Sequence, residues 1–267
     1  MEEGQTVEIQ ETREPLREQG SIRELLELLE QHGMEQEKGD VVRMADYIDF
    51  MEQQLGTVLQ ELGEVKAQLG VMQESKVKTL AVKTIQQTEQ KIQTIRFQVG
   101  ELKDQFLNRA EQAVKNVKEK GMDVLAQTMK RLKISDGLQN LQSSLQAVIL
   151  FMDKEMNKLG AMGDELHTAK GHLQNAFGEL KGTSAKKVTA RDPEKGLIFQ
   201  TQKVLFQSMR SIHRMEQKTG NLLEKAQKFE DRTGKPASVK AALQEIGSME
   251  HPLRLQNRPK VKETVRF

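Results

Sequence analysis

The sequence predicts an all-α protein, an elongated helical bundle or coiled coil of long amphipathic helices with flexible termini. Three observations lead there. Val41, Met44, Ile48, Met51, Leu55, Val58, Leu62, Val65, Leu69 and Met72 alternate at spacings of three and four without a polar exception. Leu138, Leu145, Met152, Leu159, Leu166, Leu173 and Leu180 recur every seven residues without a miss. Prolines stand only at 15, 193, 236, 252 and 259, so residues 16–192 lack the residue that breaks helix interiors. An apolar period of about 3.5 residues makes a helix wrap its stripe around another helix. Both seams therefore require a partner, from within the chain or from another copy.

Composition points the same way. Aromatic residues are 4% of the 267, with no Trp and one Tyr (Tyr47), while 30% are charged. Few large rings leave little to fill a deep globular core, whereas long helices need only a stripe of aliphatics. The absence of cysteine excludes disulfides, thiol catalysis and Cys-ligated zinc. The amino terminus, MEEGQTVEIQ, has neither the basic start nor the apolar core of a secretory signal. The longest apolar run, Ala147 to Met152, falls far short of the roughly 20 residues of a membrane span. A soluble, cytoplasmic protein is the expectation. Its net charge of +2 is unevenly spread: residues 1–40 hold 12 acidic and 4 basic side chains, a balance of −8, so the rest carries +10.

Taken in order, residues 1–20 are acidic and without apolar periodicity, and read as a disordered tail. Ser21 and Glu24 have capping-box spacing for a short docking helix over 21–33, with Ile22, Leu25, Leu26, Leu28 and Leu29 on its greasy side and Gly33 at its end. Such a helix is marginal alone and needs docking. Asp40 reads as the N-cap of the first long helix. A long-helix region then spans 41–181, with breaks near 73–78 and 134–137. Gly56, Gly63 and Gly70 recur every seven residues on one line. Each costs about 1 kcal/mol in a helix interior, so the line is either tolerated drift or a groove for close approach of a second helix. The phase resets near Gln73–Lys78, where the next helix folds back if the break is a loop. Gly121 and Ile134–Gly137 mark the following breaks, with Asp136 as a new N-cap. Around Ala147–Met152 the helix is apolar on all sides and is expected at the centre of the packing. A linker follows at 182–192, then a helix over 193–232 with Asp192 and Pro193 as N-cap and N1. Residues 233–267 read as a short helix capped by Ser238 and a flexible basic tail.

Four stretches, ETREPLREQGSIRELLELLEQHGM, ADYIDFMEQQLGTVLQELGEVKAQL, AVKNVKEKGMDVL and AMGDELHTAKGHLQNAFGELKG, resemble an uncharacterised helical family, a domain of unknown function. It is found on conjugative and other mobile elements of gut Firmicutes. The resemblance runs from about Glu11 to Lys235. It implies a bacterial cytoplasmic setting beside conjugation genes, and brings no activity and no functional residues.

The sequence contains no constellation that carries catalysis. His167 and His172 are five apart and miss the i,i+4 spacing that puts two zinc ligands on one helical face. No phosphate-binding loop and no G-x-S-x-G motif is present. No catalytic, cofactor-binding or metal residue is assigned, and no cofactor or small-molecule substrate is expected. Residues 115–133 carry a balance of +4 opposite Val114, Val117, Val124, Leu125, Met129 and Leu132, a pattern shared by bundle helices and interfacial membrane helices. Residues 248–267 carry +3 with no aromatic platform for nucleic acid. The expected function is a non-catalytic coiled-coil scaffold or adaptor acting through protein partners or self-association. A protein coating a lipid or other apolar surface is the alternative, and a nucleic-acid accessory using the basic tail is the third.

Overall fold

A computed structural model describes residues 14–73, 75–121, 124–125, 132, 134–192 and 195–234. Among these, a 3₁₀ turn at Leu16–Glu18 precedes five α-helices. They are α1 (Gly20–Gln31), α2 (Glu35–Gly70), α3 (Lys76–Lys120), α4 (Ser135–Leu180) and α5 (Gly196–Gly234). No strand occurs among the described residues, and the chain is all-α.

The ends of these helices follow tertiary partners more than local caps. Gly33 does end α1 as expected. At φ +67° its N–H donates to Glu30 O at 3.1 Å, while the Met34 N–H donates to Leu29 O at 2.9 Å. The capping box does not form. α1 starts at Gly20, Ser21 lies inside its first turn, and Glu24 pairs with Lys118 of α3. Asp40 is no cap either. α2 starts at Glu35, and Asp40 sits buried within it, 2.5 Å from Arg43. At the start of α4 no side chain of its own caps the helix. Instead Glu230 of α5 accepts the Ile134 and Ser135 N–H groups, each at 3.1 Å, and the Ser135 hydroxyl at 2.8 Å. A carboxylate is the favoured occupant of a helix N-terminus, and here another helix supplies it. Asp192 pairs with Lys195 ahead of α5; Pro193, like Ser238 and the basic tail, lies outside the described residues.

The α2–α3 connection is held by both of its flanks. The Ser75 hydroxyl accepts from the Lys78 N–H, and the buried Lys78 ammonium donates to Gly70 O at 3.0 Å and Met72 O at 2.7 Å. The first of those carbonyls ends α2 and the second lies in the connection just beyond it. With this turn α3 folds back antiparallel along α2, tied at Lys66–Glu89 (2.6 Å) and Lys103–Glu52 (2.7 Å). α4 packs along α3, α5 along α4, and α5 closes the ring against α2, giving an up-down-up-down four-helix bundle. α1 docks across α2 and α3.

Nine positions of the first seam, Val41, Met44, Ile48, Met51, Leu55, Val58, Leu62, Val65 and Leu69, are buried in this bundle. The seam is thus paired within one chain, by the folded-back helix and α5. Ile22, Leu25 and Leu29 of α1 are buried too, and Leu26 is half-buried. Leu16 is fully buried and its N–H donates to Asp49 at 2.7 Å, so ordered structure begins before the expected residue 21. The helix around Ala147–Met152 is not apolar-packed on all sides. Val148 and Met152 are buried, but Leu150 faces solvent, because only two flanks of α4 have neighbours there. A Cβ built on Gly56, Gly63 or Gly70 would meet nothing within 4 Å, so no helix uses that line.

Candidate interaction surface

Polar groups inside the bundle fix its register. Tyr47 of α2 is buried, and its hydroxyl lies 2.7 Å from Met215 O and 2.6 Å from Thr219 Oγ1 of α5. Burial pushes its pKa well above the usual value, the Thr219 hydrogen bond opposing only in part. Lys103 is buried between α3 and α2, with Glu52 at 2.7 Å and Asp49 at 3.5 Å. Buried Glu155 of α4 accepts from Thr84 of α3 at 3.5 Å. That last contact, in an antiparallel pair, sets the start of α3 level with about residue 163 of α4. From there α4 continues alone to Leu180, an arm of roughly 25 Å at about 1.5 Å per residue.

One side of the arm is covered by the chain itself. Residues 183–192 run back along it as an extended strap. Asn175 clamps the strap, donating to Lys186 O at 2.5 Å and accepting from Lys186 N–H at 3.0 Å. His167 meets Thr189 O at 3.1 Å, and Arg191 donates to Asp164 at 2.9 Å. Gly171 permits this approach, since a Cβ there would come within 2.6 Å of Val188. The strap and arm border a cleft of about 540 Å³ lined by Lys170, Gln174, Lys186 and Lys187.

The other side of the arm is bare and apolar. Leu166, Leu173, Phe177 and Leu180 are exposed there, Leu180 by 83%, with Ala169 and Ala176 between them. The second heptad therefore splits: Leu138, Leu145, Met152 and Leu159 are buried in the bundle, whereas Leu166, Leu173 and Leu180 continue the same line beyond its end. Val71 and Met72 of the α2–α3 connection are exposed at that same end, Val71 by 89%. Of nine exposed large hydrophobics among the described residues, six cluster here. Exposed apolar residues gathered at one place mark an interaction surface more often than isolated ones do.

The structure thus brings together three seam leucines with Met72 at one end of the bundle and puts the remaining seam residues in the core. Phe177, on the face that flanks the second heptad line, and Val71, next to Met72, complete the patch. Val114, Val117, Leu125 and Leu132 of the basic amphipathic stretch are buried. Among the described residues no cluster of His, Asp and Glu has the form of a metal site, and no helix is long and apolar enough to cross a membrane.

Comparison with known proteins finds one family model, described as a family of unknown function (DUF6674), matching residues 18–265. No curated protein and no solved structure matches.

Proposed function

The chain belongs to this family of unknown function, and from that premise we propose that it is a non-catalytic helical scaffold or adaptor. The bundle holds α4 rigidly, and the arm presents its apolar stripe to a protein partner. One observation carries the reading: Leu166, Leu173, Phe177 and Leu180 stay uncovered while Leu138, Leu145, Met152 and Leu159 of the same line, and nine positions of the first seam, are buried inside the chain. An amphipathic helix laying its apolar edge against another helical surface is a recurrent recognition mode, with anchors at i, i+3, i+4 and i+7 spacing. A cytoplasmic setting on a mobile element of gut Firmicutes belongs to the same proposal and rests on the resemblance of the four quoted stretches.

The test is affinity capture of the full-length protein from its host beside the Leu173→Asp/Phe177→Asp variant, with bound proteins identified by mass spectrometry. Partners captured by the wild type and lost with the variant are expected. Identical captured sets from the two would overturn the reading. Circular dichroism checks that helix content is equal.

A further inference from the structure

We infer that the arm's occupant is a second copy of the same chain, paired tail to tail and antiparallel about a two-fold axis at Leu173. This rests on the reading of the arm as an interaction surface and names what covers it.

Direction is set by the bundle. Leu166, Leu173 and Leu180 prolong the line of Leu138, Leu145, Met152 and Leu159, which faces the core. The stripe therefore overlooks the space above the bundle's end, where α2 and α3 stop. A helix entering that space from the far side meets no obstruction among the described residues, whereas one arriving parallel would bring its own bundle into collision with the first.

Sequence symmetry about Leu173 then does the matching. An isologous interface requires each residue to find a complement on an identical surface. The axis sets Leu173 against Leu173, Leu166 against the second copy's Leu180, and Ala169 against its Phe177, small against large. The tip of each arm reaches the base of the other, where Val71 and Met72 are exposed.

The area fits a reversible dimer. At roughly 100 Å² per fully exposed aliphatic side chain, the six patch residues weighted by their exposure offer about 400 Å² of apolar surface per copy. Two copies, with an apolar share near 65%, give about 1,100–1,200 Å² in total, at the lower edge of specific interfaces. Interfaces of this size belong to the weak, transient class.

The full-length chain has no cysteine, so single-cysteine variants report geometry directly. On oxidation Leu173→Cys should cross-link to itself, and a mixture of Leu166→Cys with Leu180→Cys should cross-link far more than either alone. Sedimentation velocity should show a dimer that dissociates on dilution. Leu173→Asp should raise the dissociation constant by about 100-fold or more, since two leucines are lost and two carboxylates meet. Its melting temperature should hold, because the arm lies outside the bundle. A wild type that stays monomeric, with Leu173→Cys that does not cross-link, overturns the inference, as does Leu166→Cys linking to itself as well as the mixture does. If that monomer still loses a captured protein partner on Leu173→Asp, the adaptor reading stands alone. A monomer that binds anionic vesicles through the stripe would overturn both.

Discussion

Replacing Tyr47 by Phe removes one hydroxyl from the α2–α5 interface and nothing else. In the wild type three oxygens, Tyr47 Oη, Thr219 Oγ1 and Met215 O, lie 2.6–2.8 Å apart and share two protons. Without the phenol, Thr219 still donates to Met215 O at 2.8 Å, so no buried acceptor is orphaned. The loss is then that of one ordinary hydrogen bond, about 1 kcal/mol, rather than the up to ~3 kcal/mol of an unsatisfied group. For a chain of this size that corresponds to about 2–4 °C in Tm. Alkaline pH sharpens the test. Unfolded tyrosine titrates near pH 10, while burial makes folded Tyr47 hold its proton to higher pH. Folding therefore retains a proton, the contribution is complete below about pH 10, and stability falls above it by up to ~1.4 kcal/mol per pH unit. Tyr47→Phe should abolish that tyrosine-dependent part of the slope. Tyr47 is the only tyrosine and there is no Trp, so tyrosinate absorbance follows this one group. Titration of the folded protein at the free-tyrosine pKa, or a loss above about 3 kcal/mol in Tyr47→Phe, would refute the described contact.

Leu62→Asp should lower stability by more than the ~2–5 kcal/mol of a buried Leu→Ala change, because it adds an unpaired charge to the core; a melting curve within 2 °C of wild type would contradict the buried seam. Its oligomeric state should match that of the wild type wherever it remains folded, since this seam is paired within the chain. Glu230→Ala should cost about 1–2 kcal/mol and speed amide exchange at Ile134 and Ser135, whereas unchanged exchange would deny it the capping role. Gly171→Val should displace the strap, read as faster proteolysis within 183–192 at unchanged bundle Tm, and equal cleavage would count against the close approach of Val188.

What the sequence made legible was periodicity. The residues of 41–69 and 138–159 are buried where their spacing placed them, because a heptad is written in the side chains that fill the core. What it hid was everything decided by a distant partner. Ser21, Asp40 and Asp136 have cap chemistry, yet Glu24 is drawn to Lys118, Asp40 pairs with Arg43, and the amides before α4 are taken by Glu230. The polar stretch 35–40 has no apolar spacing to announce a helix, though it is the start of one. Leu166, Leu173 and Leu180 continue the seam without interruption, and local sequence carries no trace that α2 and α3 have already ended beside them. The Tyr47 contact spans 168 and 172 residues and depends on a register that only the assembled ring defines.

That long span orders the assembly in time. The α2–α3 and α4–α5 hairpins join helices adjacent in the chain, and such local contacts form early because they cost less loop entropy than distant ones. The meeting of α2 with α5 joins residues 168 and 172 apart, so the topology predicts that it forms last, after the rate-limiting step. Interactions absent from the transition state alter the escape from the native basin rather than the approach to it. In a kinetic experiment Tyr47→Phe should accordingly leave the refolding limb of the chevron in place and lift the unfolding limb about fivefold, the Arrhenius equivalent of its one hydrogen bond.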